Sequence, residues 1–212
     1  LFRSFLAVLG ILAVTGMADH AHAGAVITHG NVSMGINDTG ELNFGSTGIK
    51  LAGVGDGIFP GCKCEGWGVA VNNSVAGGAS IDNADPGNLT LQSFNSTAST
   101  ATSVVTLTSL PTLEVTHAYA PSSTAGLFGV NVSIRNTGAV NFTDLLYTRV
   151  MDWDIPPTTF NELVTIQGVG AANLVLSHDN GFANVNPLAS TSAILGGTTN
   201  VNFTDSGPSD HG

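Results

Sequence analysis

The sequence predicts an all-β protein: an antiparallel β-sandwich, immunoglobulin-like or jelly-roll-like, built from many short strands. Apolar and polar residues alternate along many short segments, which is the period of a half-buried strand. Clusters of Gly, Asn and Asp separate these segments at intervals of about 8 to 12 residues. Windows with the i, i+3, i+4, i+7 spacing of an amphipathic helix are few, and Gly, Asn and Thr interrupt them. Together these patterns favour a sandwich over any helical fold.

The first half of the mature chain contains several such runs. Val26 to Ile36 is predicted as one strand, with Val32, Met34 and Ile36 on one face. Asn37 to Gly40 is predicted as a turn, and so is Gly77-Gly78, because these residue types favour turns. Further strands are predicted at Ile49 to Val54, Trp67 to Val71 and Leu89 to Phe94.

The second half has the strongest alternation. Leu113, Val115 and His117 share one face of a predicted strand from Leu113 to Tyr119, so His117 is interpreted as a packed histidine. Leu127 to Arg135 is expected to pair with that strand. Pro111 is expected to end or bend the β-branched run from Ala101 to Leu110. The remaining predicted strands are Leu145 to Trp153, Leu163 to Gln167, Leu174 to Ser177, Ser192 to Leu195 and Asn200 to Phe203.

The N-terminal residues have the pattern of a secretory signal peptide. Arg3 precedes an apolar run of about a dozen residues, which is short for a membrane span of about 20. Ala21 and Ala23 are small residues at the positions that a signal peptidase reads. We therefore predict a leader over residues 1–23 and a single β-sandwich domain over 24–212, incomplete at its C-terminus. An N-terminal anchor helix is the alternative.

Charge restricts the class of partner. The chain has 212 residues, a formal net charge of −10 and only 9% charged residues. After the leader the basic residues are scattered, at Lys50, Lys63, Arg135 and Arg149. Nucleic acids and anionic membranes are bound by clustered Lys and Arg, so neither is an expected partner. The oligomeric state is not predicted.

Asp152 and Asp154 flank Trp153, and on a strand both carboxylates would lie on the same face. Such a pair can supply two of the six to eight oxygens that Ca²⁺ requires, and calcium is the one cofactor considered. Paired carboxylates also serve glycosidases. The third interpretation is structural, with Arg149 and backbone amides satisfying both acids at a corner.

Two further pairs of residues are candidate site residues. Cys62 and Cys64 are expected to form a small, strained disulfide, because cysteines of an exported protein usually pair. Trp67 and Trp153 are candidates for stacking on a sugar ring. No Ser nucleophile elbow accompanies Ser177 and His178, so no catalytic residue is assigned and the protein is not expected to be an enzyme.

The mature chain resembles bacterial secreted proteins of the PEP-CTERM (exosortase-sorted) group. Three stretches carry the resemblance: Asp56 to Gly68, Leu113 to His117 and Tyr147 to Pro157. The Pro-Glu-Pro sorting tail, with its apolar helix and basic end, does not occur in the sequence. The resemblance implies bacterial export, surface attachment through a missing C-terminal anchor, and association with exopolysaccharide or biofilm matrix. It implies no catalytic residue.

These observations favour a secreted or cell-surface structural protein of an extracellular matrix, with extracellular polysaccharide as the expected partner. Two other functions stay open. The first is a carbohydrate-binding module that uses calcium at Asp152 and Asp154 and stacks sugar on Trp67 or Trp153. The second is a glycoside hydrolase that uses the same acid pair. Burial of both indoles would favour the structural protein.

Overall fold

The computed structural model describes residues 23–61, 65–81, 86–151, 153–159, 163–167, 187–188 and 200–204. Within these ranges the regular structure is entirely β, which confirms the predicted fold class. In this part of the chain, no helix has the length and apolar character needed to cross a membrane. The strands are β1 Gly24–His29, β2 Val32–Asn37, β3 Ile49–Leu51, β4 Gly55–Asp56, β5 Glu65–Val71, β6 Val75–Ile81, β7 Leu89–Ser96, β8 Ala101–Leu107, β9 Leu110–Pro121, β10 Phe128–Asn136, β11 Leu145–Met151, β12 Leu163–Gln167 and β13 Asn200–Thr204.

The strands form antiparallel sheets that pack as a sandwich. One layer is a four-stranded sheet in the order β10-β9-β8-β7. The opposite layer contains two sheets, the three-stranded β11-β5-β6 and the four-stranded β1-β2-β3-β4. A separate pair, β12 and β13, completes the described strands. Inward-facing side chains of β8 and β9 therefore contact both sheets of the opposite layer.

Two apolar clusters hold the layers together. The first joins Trp67 and Val69 of β5 to Val105 of β8 and Val115 of β9. The second joins Ile27 and Ile36 of the N-terminal hairpin to Ala101 and Tyr119. Burial of large aliphatic and aromatic side chains contributes about 1.5–3 kcal/mol each, so these clusters are the main source of stability.

Alternation predicted the central strands well. Leu113, Val115 and His117 are all buried on one face of β9, as expected. β10 pairs with β9 in antiparallel register, with Val132 opposite His117. β12 has the predicted bounds, Leu163–Gln167. The predicted strands at Leu174 to Ser177 and Ser192 to Leu195 lie outside the described residues.

Three local predictions were wrong. Val26 to Ile36 is a hairpin of two strands, because Gly30 adopts a left-handed φ of 62° and turns the chain. Gly77-Gly78 lies inside β6 and is not a turn. Pro111 does not end a strand but lies next to the start of β9.

Gly78 of β6 lies opposite Gly68 of β5. A Cβ on Gly78 would lie 2.2 Å from the Trp67 carbonyl oxygen and 2.8 Å from the Gly68 Cα. A methyl group there would displace backbone, so glycine is required by space and not by a turn.

We expect Gly78→Ala to lower the free energy of unfolding by more than about 2 kcal/mol, because overpacking against backbone has no flexible side chain to yield. Gly129→Ala on β10 is the matched control, since its Cβ would meet nothing within 4 Å. The control is expected to change stability by less than about 1 kcal/mol. Urea unfolding of both variants measures the difference, and equal midpoints would contradict the close approach.

Candidate functional site

The largest concentration of buried polar groups lies between β5 and β11, where Glu65 and Arg149 form an ion pair. In the β5–β11 register Arg149 lies opposite Trp67, so Glu65, two residues earlier on β5, is its diagonal neighbour on the same face. Arg149 Nη2 lies 2.7 Å from Glu65 Oε1, and the Glu65 side chain has no exposed surface. Two opposite charges are thus placed inside the sandwich.

Neighbouring groups add hydrogen bonds to this pair. The backbone N–H of Leu42 donates to Glu65 Oε2 at 2.5 Å. Arg149 Nη2 donates to the Tyr119 hydroxyl at 2.7 Å, and the guanidinium carbon lies 5.7 Å from the centre of the Tyr119 ring. A buried ion pair is tolerated when such additional hydrogen bonds replace lost hydration.

The polypeptide from Asp38 to Leu42, which we call the 38–42 turn, lies over this ion pair. Side chains from several strands of both layers donate hydrogen bonds to its backbone carbonyls. Trp67 Nε1 donates to the Thr39 carbonyl at 3.0 Å, and Ser103 Oγ donates to the Asp38 carbonyl at 2.5 Å. The Tyr119 hydroxyl donates to the Gly40 carbonyl at 2.7 Å. The turn is therefore fixed by the core and not by its own residues alone.

An aromatic group extends the network. His117 Nε2 lies 2.8 Å from the Tyr147 hydroxyl. The Trp67 ring lies 4.6 Å from the His117 ring and 6.2 Å from the Tyr147 ring, measured between centroids. Trp67 also belongs to the apolar cluster of Val69 and Val115, so the polar groups lie directly against that cluster.

Burial sets the charge states of the ion pair. Burial raises the pKa of Glu65, while the adjacent Arg149 acts in the opposite direction. Burial alone would lower the pKa of Arg149, but attraction to Glu65 and to the two tyrosines more than offsets it. Burial also raises the pKa of Tyr119, so its hydroxyl keeps its proton and donates. The guanidinium stays charged, which makes Glu65 its necessary counter-ion.

Two residues at the edge of the network titrate abnormally. Burial raises the pKa of Glu41, in the 38–42 turn, to about 7, and the nearby Glu65 and Asp38 carboxylates add to the rise. Burial lowers the pKa of His117 to about 3, with a further contribution from Arg149. His117 is therefore neutral at physiological pH. Glu41 is 7% exposed and lines a surface pocket, whereas His117 is 0% exposed.

The two tryptophans occupy different environments. Trp67 is 0% exposed and donates its indole N–H to the turn, so it has no free face for a sugar ring and the predicted stacking role does not fit its position. Trp153 is partly buried and packs against the cluster that contains Ile27 and Tyr119. Of the two stacking candidates, only Trp153 has exposed surface.

The predicted acid pair is described in part. Asp154 is 1% exposed, and its backbone N–H donates to the Gly57 carbonyl at 2.7 Å. Asp152, Cys62 and Cys64 lie outside the described residues. Over the ranges that the structure does describe, no group of three or more His, Cys, Asp or Glu side chains is arranged to hold a metal ion. The ion pair of Arg149 is formed with Glu65, a residue that the sequence pattern did not single out.

We expect EDTA to leave the melting temperature unchanged within about 1 °C, because burial of Asp154 inside the sandwich favours a structural role. Differential scanning calorimetry with EDTA, and again with excess Ca²⁺, measures this. A drop of many degrees that Ca²⁺ restores would instead establish the predicted calcium site at Asp152 and Asp154.

Sequence reasoning identified Arg149 and His117 but not the groups that bind them. Glu65 lies 84 positions before Arg149, so no local spacing connects the two. One signal was present: Glu65 precedes an alternating strand in phase with Trp67, Val69 and Val71, which places a carboxylate on the buried face. A charge at such a position requires a partner of opposite charge, and the chain has few basic residues that could be that partner.

Comparison with known proteins adds no relative: no protein family, no curated protein and no solved structure matches the chain.

Proposed function

We propose that the chain is the structural domain of an exported bacterial surface or matrix protein, and that it catalyses no reaction. One observation carries the proposal. The groups of the buried ion pair, Glu65 and Arg149, and the Tyr119 hydroxyl are directed at one another and at the 38–42 turn. A catalytic group must reach its substrate, whereas these groups join two layers of a sandwich.

The described surface supports the same role. It carries Thr and Ser hydroxyls that bond to each other across neighbouring strands, such as Thr28 of β1 with Ser33 of β2 at 3.1 Å. Thr97 and Thr100 form a similar contact at 2.7 Å within one turn. Such a surface is hydrated without being charged, which suits a polysaccharide-rich environment better than a charged macromolecular partner. The resemblance to exosortase-sorted proteins supports export and association with exopolysaccharide.

Export can be tested directly. The chain, preceded by an initiator methionine, is produced in a Gram-negative bacterium, and the exported fraction is analysed by intact-mass spectrometry. We expect a product that begins at Gly24. A variant with Ala21→Lys and Ala23→Lys is the control, because it removes the small residues that the peptidase requires. If the chain without these substitutions stayed in the cytoplasm at full length, the proposal would be contradicted.

Matrix association is tested by co-sedimentation of residues 24–212 with insoluble cellulose and with calcium-gelled alginate. Retention that persists in a Trp153→Ala variant supports a structural association spread over the surface. The alternative, a calcium-assisted carbohydrate-binding module, is kept because Trp153 retains exposed surface next to Asp154. This alternative predicts saturable binding to the polysaccharide, which the Trp153→Ala substitution abolishes. It also predicts that EDTA abolishes binding of the unmodified protein to cellulose.

A further inference from the structure

We infer that the 38–42 turn is a pH-responsive closure of the sandwich, controlled in opposite directions by Glu41 and His117. The inference goes beyond the proposed structural role and does not depend on export or on polysaccharide. It begins from the position of the turn, which is bonded to β5, β8, β9 and β11 through side chains.

The turn contacts one titratable group, His117, and carries the other, Glu41, at the edge of a surface pocket of about 420 Å³. Gly40 has a left-handed φ of 93°, and a Cβ there would lie 2.7 Å from His117 Nδ1. The backbone of the turn is thus in contact with the imidazole. Glu41 belongs to the turn itself, is 7% exposed and accepts a hydrogen bond from Thr39 Oγ1 at 2.6 Å. Lifting the turn would hydrate Glu41 and His117 together.

Each group faces charge of its own sign. Glu41 is influenced by the carboxylates of Asp38, in the same turn, and of Glu65, on β5. His117, on β9, lies near the Arg149 guanidinium of β11, and its Nε2 lies 2.8 Å from the Tyr147 hydroxyl. The Tyr119 hydroxyl accepts a hydrogen bond from the same guanidinium. Ionisation of Glu41 would add a third carboxylate, and protonation of His117 would add a second cation. In a site with little water, either event favours opening.

The sign of each effect follows from the direction of its pKa shift. Glu41 is raised from 4.5 to about 7, so its contribution to closure is complete below pH 4.5 and is lost as the pH rises toward 7. His117 is lowered from 6.5 to about 3, so its contribution is complete above pH 6.5 and is lost as the pH falls toward 3. Between pH 4.5 and 6.5 the two dependences oppose each other, and closure is strongest in that window.

Hydrogen exchange of the Trp67 indole N–H reports the closure, because this proton is bonded to the Thr39 carbonyl. The chain contains two tryptophans, so its NMR spectrum has two indole N–H signals, and Trp153 is the internal reference. The protection factor of each signal is measured from pH 3 to pH 9, corrected for intrinsic exchange, with Trp153→Phe used to assign the signals.

Opposite slopes are expected for two variants. Glu41→Gln keeps only the His117 effect, so protection of Trp67 should rise with pH up to about 6.5 and then stay constant. His117→Asn keeps only the Glu41 effect, so protection should fall by up to about 300-fold between pH 4.5 and 7. Glu114→Gln, which changes a partly exposed carboxylate paired with Arg135, should leave the native profile unchanged.

Identical pH profiles for the native chain and Glu41→Gln would overturn the inference. Should either variant fail to fold, the native protein still decides: NMR titration of the Glu41 carboxyl and the His117 imidazole is expected to give midpoints shifted in opposite directions. Ordinary midpoints for both groups, about 4.5 for Glu41 and about 6.5 for His117, would also overturn it.

Discussion

Arg149→Met is expected to lower the free energy of unfolding by about 3–5 kcal/mol, because it leaves the Glu65 carboxylate buried without its counter-ion. Glu65 has 0% side-chain exposure and Arg149 has 18%, so water cannot replace the lost partner without opening the sandwich. The Tyr119 hydroxyl and the Gly40 carbonyl would also lose the guanidinium donor. Guanidinium chloride unfolding at pH 7 measures the loss.

The chain contains a matched control for this substitution. Arg135 and Glu114 form a second pair at 3.0 Å, with side-chain exposures of 65% and 24%. Arg135→Met should cost less than about 1 kcal/mol, since exposed pairs contribute little. The double variant Glu65→Met with Arg149→Met should be more stable than Arg149→Met alone, because it removes the unpaired charge. If Arg149→Met and Arg135→Met were equally stable, the structural importance of the buried pair would be refuted.

Asp56→Ala is the second large effect, with an expected loss of about 3–5 kcal/mol. The Asp56 carboxylate accepts four backbone N–H bonds: from Gly48 at 2.8 Å, Ile49 at 3.2 Å, Ile58 at 3.1 Å and Phe59 at 2.9 Å. Bonds to a charged acceptor contribute more than neutral ones, and four amides would lose their partner together. Thermal unfolding followed by circular dichroism tests this expectation.

Asp56→Asn separates the charge from the hydrogen bonds. Three of the four backbone N–H groups donate to Oδ1, and the amide oxygen of Asn can accept these bonds. The expected loss in the free energy of unfolding is therefore smaller than for Asp56→Ala. Asp144→Ala is the control, because the described Asp144 contact is one exposed bond, from the Asn73 N–H at 3.2 Å. If Asp56→Ala lowered the melting temperature no more than Asp144→Ala, the bonds to Asp56 would not stabilise the fold.

Period-two alternation was sufficient to predict the fold class and the central strands. β9 was predictable because its apolar residues occur at every second position, with polar residues between them. β6 was not predictable, because Gly77 and Gly78 lie where alternation would require larger side chains. These glycines are explained by contacts with residues of other strands, such as the Trp67 carbonyl, and such contacts leave no pattern in the local sequence.

The site was less predictable than the fold. Arg149 and Trp67 attracted interest as rare residue types, but the expected partners of Arg149 were the acids nearest in sequence. Its ion pair is instead formed with Glu65, because register between β5 and β11 brings them together. Strand register depends on the whole sheet, so a single sequence without pairing information does not determine which carboxylate reaches the guanidinium.

The bonds that hold Gly40 have a consequence for synthesis. Its carbonyl is bonded to Tyr119, 79 positions later, and to Arg149, 109 positions later. A chain made from its N-terminus therefore cannot complete these bonds before Arg149 has been joined. Long-range contacts of this kind slow folding. The 38–42 turn is therefore expected to reach its native bonding late in folding.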